Sequence, residues 1–280
     1  MRFGPILAIV LALGACTDKG KQSAEAARPN VESLVDLANK DVAEIERGLP
    51  EGGKKMSEIL ASTEDPRQNP GGVRNALNKI RRDVPDLGLA KSTFFAFTDD
   101  KGVAIRNNLE QDTMAGKDVV HGYPGLDKVL GGEPYVRANG QFGTPNPIGP
   151  DKEWVAAVPV KRADASLEGV LVTGWTYRWF AYHLQETLRR DVQDALLRNG
   201  ETGKMPIVYV LLFDKAAVYG ARGTPPIHEK TLGELDLVSK TASGTADGSA
   251  TIDGRAFGWA AARVPKLGPE TGIVVVRSEI

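Results

Sequence analysis

Two segments of the sequence repeat one pattern of strands, and this repeat limits the fold more than any other feature. WVAAVPV is followed by a polar loop and EGVLVTG, and WAAARVP is followed by a polar loop and TGIVVVR. Trp154 precedes Gly169 by 15 residues, and Trp259 precedes Gly272 by 13. Because internal similarity at a fixed interval indicates a repeated structural unit, we predict a duplicated α+β unit of about 90 residues.

Each repeated strand pair follows a predicted hairpin. STFFAFTDDKGVAIRN and MPIVYVLLFDKAAVYGARG both have the pattern of a strand, a turn that contains Asp, and a returning strand. Apolar residues at three- and four-residue intervals predict amphipathic helices over residues 31–49, 70–84 and 180–196. Asn30 is the predicted N-cap of the first helix, and the Pro-Glu-Gly-Gly sequence at 50–53 is predicted to interrupt it. Asn69 and Pro70 are predicted to open the second helix.

The charge balance excludes one class of partner. The chain carries 35 Lys and Arg against 36 Asp and Glu, a formal net charge of −1. A nucleic-acid-binding surface needs an excess of basic residues, so we predict no nucleic-acid partner. The hydrophobic fraction of 41% and the charged fraction of 25% are typical of a globular protein.

The single cysteine lies directly after an N-terminal apolar run. Arg2 is followed by PILAIVLAL and then by the small residues Gly14 and Ala15 before Cys16. This run is too short to cross a bilayer, which takes roughly 20 apolar residues, and it matches the hydrophobic region of a signal peptide. The tetrad LGAC resembles the lipobox of bacterial lipoproteins, which implies cleavage before Cys16 and attachment of diacylglycerol and an N-acyl chain such as palmitate to that residue.

The lipobox resemblance implies a membrane-anchored protein of the cell envelope. A signal peptide would occupy residues 1–15, and the lipidated Cys16 with a flexible tether would occupy residues 16–30, which are polar and lack apolar periodicity. Several acyl chains hold a protein on a membrane almost permanently. Thr17 would be the second residue of the mature chain, and the absence of aspartate there favours the outer membrane over the inner membrane.

The sequence offers few groups for catalysis. His121, His183 and His228 stand apart without metal-ligand spacing, and neither a Gly-x-Ser-x-Gly motif nor a phosphate-binding loop occurs. Asp99 and Asp214 lie in predicted hairpin turns, where an aspartate side chain usually accepts hydrogen bonds from the backbone. We therefore predict a protein that is not an enzyme and that needs no metal or cofactor.

The order of segments in the first repeat is similar to that of extracellular Cache sensor domains, the PAS-like modules of bacterial chemoreceptors and histidine kinases. These segments are FFAFTDDKGVAIRN, AGKDVV, YPGLDKVLGGEPYV and WVAAVPVKRADASLEGVLVTG. The resemblance implies an α+β fold with two PAS/Cache-like units, each an antiparallel sheet with flanking helices. An N-terminal helical segment precedes the two units in the chain. The expected organisation is N-terminal helices at 31–90, a first Cache-like unit at 91–178, a connecting helix at 179–200 and a second unit at 201–280.

The resemblance also implies a ligand pocket between the sheet and the lid of the first unit. Ligand pockets are mostly apolar with a few convergent polar groups, and an arginine beside aromatic rings suits a carboxylate. The expected ligand is therefore a small molecule that bears a carboxylate. The alternative is that the aromatic side chains fill the core and the arginines face water. The residues expected to line the pocket are Phe97, Arg106, Met114, Tyr123, Tyr135, Arg137 and Trp154, with His121 also on the lid.

Two functions fit these features. One is a lipid-anchored sensor that binds a small molecule and passes its state to a protein partner in the envelope. The other is a non-catalytic envelope scaffold in which the PAS-like units are adhesion surfaces without a ligand. The second unit has the shorter lid and is expected to be structural.

Overall fold

The computed structural model describes residues 7–62, 65–89, 94–141, 151–200 and 205–279. Residues 1–6 of the predicted signal peptide, the side chains of residues 7–18 including Cys16, and the Gly/Pro-rich stretch at 142–150 lie outside the described residues. The helices are α1 (Leu7–Leu60), α2 (Pro70–Asp83), α3 (Pro85–Leu89), α4 (Tyr177–Arg198), α5 (Pro226–Gly233) and α6 (Leu237–Lys240). The strands are β1 (Phe94–Asp99), β2 (Ala104–Asn107), β3 (Val136–Gly140), β4 (Glu153–Lys161), β5 (Leu167–Thr176), β6 (Ile207–Phe213), β7 (Val218–Gly220), β8 (Ala246–Ile252), β9 (Arg255–Arg263) and β10 (Gly272–Ser278).

The strands form two five-stranded antiparallel sheets with the same strand order. The first sheet runs β2-β1-β5-β4-β3, and the second runs β7-β6-β10-β9-β8. The two repeated sequence segments are the pairs β4–β5 and β9–β10, which lie next to each other in their sheets. The predicted α+β fold with two repeated antiparallel units is confirmed.

The chain divides into two compact units. The first unit is Asn39–Tyr177, and the second comprises the chain from Arg178 onward together with α1 up to Ala38. Each unit places one face of its sheet against helix and the other face under a lid. In the first unit the lid is the segment between β2 and β3, which contains a short 3₁₀ helix at Leu126–Val129, and in the second unit it includes α5 and α6.

The aspartate turn signals of the sequence and the predicted helix start at Asn69 are confirmed in atomic detail. Asn69 caps α2, because its side chain accepts a hydrogen bond from the backbone of Gly72 at 2.8 Å. In the β1–β2 turn, Asp99 Oδ1 accepts the backbone N–H groups of Lys101 and Val103, each at 2.9 Å. Asp214 does the same for the β6–β7 turn, as predicted for aspartates that organise hairpins.

The prediction of a flexible tether over residues 16–30 is wrong. α1 is continuous from Leu7 to Leu60, and Ser23, Ala24 and Ala27 are buried in the second unit. The helix approaches β9 so closely that a Cβ at Gly258 would lie 1.9 Å from the backbone nitrogen of Ala24. Small side chains on both elements permit this contact, and small residues contribute little to the apolar periodicity on which the prediction relied.

The predicted helix boundaries within α1 are also wrong. Asn30 lies inside the helix instead of capping it, and the helix continues through Pro50 and the two following glycines. A Cβ at Gly52 would lie 2.8 Å from a methyl of Leu87 and 3.2 Å from a methyl of Leu171. The glycine therefore lets α1 lie close to α3 and to the sheet, and tertiary packing outweighs the low helix propensity of this stretch.

Candidate functional site

The lid of the first unit is fixed to its sheet by Asp112. The carboxylate accepts backbone N–H groups of Asn107, Met114 and Ala115 at 3.1, 2.8 and 3.1 Å and pairs with Arg106 at 3.0 Å. Burial raises the pKa of Asp112, but these hydrogen bonds outweigh burial, so its pKa lies below the usual value for aspartate. A charged Asp112 therefore holds the start of the lid in place.

Arg106 belongs to this fixing network. Besides pairing with Asp112, its guanidinium donates to the carbonyl oxygens of Leu109 and Glu110 at 3.0 and 3.1 Å. The lid then runs beside β2, because the backbone of Gly116 donates to the carbonyl of Ala104 at 2.8 Å. The position of Arg106 thus makes it a structural anchor of the lid.

The space between the lid and the sheet is filled by an apolar cluster. Met114 and Tyr123 belong to it, as expected for lid residues that face the sheet. The hydroxyl of Tyr123 donates to the carboxylate of Glu153 on β4, and burial raises the pKa of this tyrosine far above its usual value. The other members of the cluster are Phe94, Ala96, Ala104, Val119, Val120, Leu126, Val129, Val136, Ala138, Val155, Ala157, Val170 and Val172.

The structure does not bring the remaining predicted site residues to this lid face. Phe97 on β1 lies beside Leu171 on the neighbouring strand β5, and Leu171 faces α1. Trp154 is fully buried and stacks on Trp175 with ring centroids 4.4 Å apart. Because strand residues alternate between faces, these two aromatic side chains lie on the face opposite Met114 and Tyr123.

Tyr135 and Arg137 also lie toward α1. A guanidinium nitrogen of Arg137 is 3.4 Å from the carboxylate of Glu46 on α1. The pKa of Tyr135 is raised, first by burial and then by the charge of Glu46. His121 remains at the surface of the lid, where its ring lies 2.9 Å from Asp118. The seven predicted residues are therefore divided between two faces of one sheet and form no single pocket.

An open cleft lies elsewhere in the first unit, at the end of the sheet where α1 stops. Its volume is about 660 Å³. The last turn of α1, the loop at 65–67, the β1–β2 hairpin and the β4–β5 hairpin form its walls. Leu60, Pro66 and Ile105 contribute apolar surface. We call this feature the hairpin cleft.

Charged side chains of both signs line the hairpin cleft. Arg67 reaches the β1–β2 turn, where it lies 2.8 Å from Asp100 and 3.8 Å from Asp99. Arg162 pairs with Glu168 across the β4–β5 hairpin. The lining also includes Lys161, Glu58 and Asp65. A bound molecule would therefore contact hydrogen-bond donors and acceptors in addition to the apolar surface of the cleft.

The sequence contained only indirect signals for the hairpin cleft. The hairpin pattern predicts a turn role for Asp99, and its Oδ1 atom has that role, while Oδ2 faces Arg67. Arg162 and Glu168 flank a polar hairpin loop, which gives no pattern for binding. The cleft arises because four segments far apart in the sequence meet at one end of the sheet.

The part of the chain that the structure describes contains no group of three or more His, Cys, Asp and Glu side chains arranged to hold a metal ion. Within those same residues, no helix combines the length and the apolar character that a membrane crossing requires.

Comparison with solved structures identifies the fold. The chain is similar to an extracellular ligand-binding receptor from Desulfohalobium retbaense, with a TM-score of 0.51 and 11% identity over 89% of this chain. It spans only 39% of the length of that receptor chain. It is also similar to a structure described as methyl-accepting chemotaxis protein X, with a TM-score of 0.50 and 13% identity over 97% of this chain and 99% of the other.

A domain of a sensory box/GGDEF family protein from Vibrio parahaemolyticus gives a comparable result, with a TM-score of 0.50 and 10% identity over 93% of this chain and 97% of that chain. No protein-family profile matches the sequence, and no curated protein matches it. The fold is therefore that of a double PAS/Cache-like domain, with two antiparallel sheets, flanking helices and a long N-terminal helix.

Proposed function

We propose that this protein is an extracytoplasmic sensor that binds a small molecule in the hairpin cleft of its first unit. The observation that carries the proposal is the cleft itself, since its volume of about 660 Å³ falls within the usual range for ligand pockets. The similar fold of an extracellular ligand-binding receptor supports the proposal as an analogy. The apolar cluster under the lid is the core of the unit in this proposal.

The chemistry of the cleft suits a ligand with a carboxylate and an apolar part. Arg67, Lys161 and Arg162 offer donors, and a guanidinium can bond a carboxylate through two parallel hydrogen bonds. The apolar part would cover Leu60 and Ile105. A carboxylate that engaged Arg162 would compete with Glu168 on the β4–β5 hairpin, which gives ligand binding a direct effect on the position of that hairpin.

A ligand screen tests this proposal. A shortened form of the mature chain, which begins at Thr17 and therefore lacks the lipidated Cys16, is heated with each member of a panel of carboxylate-bearing metabolites, and the unfolding midpoint is recorded. A ligand that binds only the native state stabilises it by RT ln(1 + [L]/Kd), about 2.7 kcal/mol at 100 times Kd, and this shifts the midpoint by several degrees. The Ile105→Trp substitution fills the cleft, and we expect it to abolish the shift.

The matched control is Leu197→Trp, which introduces the same side chain at an exposed position of α4. This variant should keep the full ligand shift. A shift that survives Ile105→Trp would place the ligand outside the hairpin cleft. A broad panel with no stabilising compound would favour the scaffold function, in which the units serve only as interaction surfaces.

We further propose that the protein is held in the cell envelope by lipid on Cys16 and acts through a protein partner there. The signal-like apolar run and the LGAC tetrad support this anchor. The outer membrane is the proposed location, because Thr17 follows the cysteine.

Replacing Cys16 with serine tests the anchor. Without a thiol the diacylglycerol group has no attachment site, so we expect the variant to leave the membrane fraction entirely or to accumulate with its signal peptide intact. Fractionation of cells followed by mass measurement of the N-terminal peptide distinguishes these forms. A processed Cys16→Ser protein that remains with the membranes would show that the anchor is not a lipid on this residue.

A further inference from the structure

We propose that the second unit is a proton sensor in which protonation of His228 releases α5 from the sheet. His228 lies in the first turn of α5 and is 4% exposed. Its ring packs between Tyr209 of β6, at a centroid distance of 4.5 Å, and Phe257 of β9, at 4.9 Å. The histidine is therefore enclosed between the lid helix and the aromatic surface of the sheet.

The Nδ1 atom of His228 is buried and has no hydrogen-bond partner among the described residues. A neutral imidazole has one N–H donor, whereas the protonated ring has two. If the ring is protonated while α5 lies against the sheet, a positive charge is buried next to aromatic rings. The Nδ1–H group is then also a buried donor without an acceptor. Both changes are costly in a buried site, so the proton favours an arrangement in which the ring reaches water.

Among the described residues, no carboxylate is placed to stabilise the charged ring. Glu229, the next residue on α5, bonds Arg178 and the backbone of Gly220. The titratable groups on the other elements packed against α5 are engaged elsewhere: Tyr219 on β7 contacts Asp214, and Asp247 on β8 pairs with Arg28. On β6 and β9 the ring meets Tyr209 and Phe257.

Burial accordingly lowers the pKa of His228, with no charged group among the causes. Because the pKa of His228 is lowered when α5 packs on the sheet, this packed state is most stable above the pKa of the released state, about 6.5. Closure weakens as pH falls below that value, until the pKa of the closed state is reached. Release of α5 is therefore expected to begin as the pH falls below about 6.5.

The same segment carries a second unsatisfied polar group. The hydroxyl of Thr224, just before α5, is buried without a hydrogen-bond partner among the described residues. α5 has only eight residues, and Leu232 is its contribution to the apolar cluster of the second unit. Residues 224–233 therefore form a short segment with one buried apolar side chain and two unmet polar groups, and such a segment is expected to open locally. The bond of Glu229 to Arg178 is the main polar contact that this opening would break.

Amide hydrogen exchange of the mature chain tests the proposal. Protection factors of the α5 amides, corrected for intrinsic exchange rates, are compared between pH 7.5 and pH 5.0. In the wild-type protein the opening equilibrium of α5 should rise up to about tenfold per pH unit below 6.5, because one proton is taken up on opening. Amides of β10 should show no comparable change, since the release is local.

Two substitutions remove the titration while retaining a side chain. His228→Phe keeps an aromatic ring that cannot take up a proton, and His228→Gln keeps a polar side chain that cannot. Both should make the protection factors of the α5 amides independent of pH. His183→Phe is the matched control, because His183 is a partly exposed histidine on α4 and its loss should leave the wild-type response intact. An unchanged response in both His228 variants, a wild-type α5 insensitive to pH, or an equal rise at β10 would overturn the proposal.

Discussion

Replacing Trp154 with alanine should lower the free energy of unfolding by about 3–5 kcal/mol. Trp154 is fully buried on β4, lies opposite Trp175 on β5 and stacks on it at an angle of 18° between ring planes. The substitution removes the transfer free energy of the indole and the stacking contact, and it leaves a cavity that the surrounding strands cannot fill completely. Chemical denaturation of the mature chain measures the loss directly.

An exposed aromatic residue provides the control for Trp154. Tyr182 on α4 is 47% exposed, and Tyr182→Ala should change the free energy of unfolding by no more than about 0.5 kcal/mol. Trp154→Ala should also reduce stability equally with and without a stabilising ligand, because Trp154 does not line the hairpin cleft. A Trp154→Ala protein that keeps wild-type stability but no longer responds to ligand would show that Trp154 takes part in ligand binding, as the sequence analysis predicts.

The Arg178→Ala substitution should destabilise the protein by about 3 kcal/mol or more. The Nη1 and Nη2 atoms of Arg178 donate to the carboxylate of Glu229, at 2.6 and 2.9 Å, and Nη1 also donates to the carbonyl of Gly220 at 2.9 Å. The side chains are only 7% and 21% exposed. Without Arg178, the Glu229 carboxylate would remain largely buried with no opposite charge, and that is costly.

The loss at Arg178 can be separated from a general effect of removing arginine. Arg189 lies on the same helix and pairs with Glu186, but both side chains are more than 40% exposed, so Arg189→Ala should cost at most about 1 kcal/mol. The double variant Arg178→Met/Glu229→Gln removes both charges and should recover part of the stability. If Arg178→Ala cost no more than Arg189→Ala, the pair would contribute nothing beyond an exposed ion pair.

The two units are built alike but differ in what their lids contain. The first lid is largely irregular backbone fixed by Asp112 and Arg106, with an apolar interior beneath it. The second lid includes two short helices, with the Arg178–Glu229 pair and the buried His228 at its edge. In our proposals the first unit responds to a small molecule at the hairpin cleft and the second responds to protons.

The repeated architecture of the protein follows from local patterns in its sequence. Alternating and helical periodicity, aspartates in hairpin turns and the Asn69 cap are local signals, because each depends on residues a few positions apart. The repeated pairs that begin at Trp154 and Trp259 located the central strands of both sheets. For this reason the α+β class and the two antiparallel units were predictable without knowledge of the tertiary structure.

Contacts between distant segments determine where the side chains meet. Residues 19–30 join α1 because small residues let the helix lie against β9, and such a contact across more than 200 residues leaves no periodic signal. The predicted pocket residues lie on different faces of the sheet, because neighbouring positions on a strand point to opposite sides. The hairpin cleft and the enclosure of His228 likewise arise where distant segments meet, and that arrangement depends on long-range packing that local patterns in a single sequence do not encode.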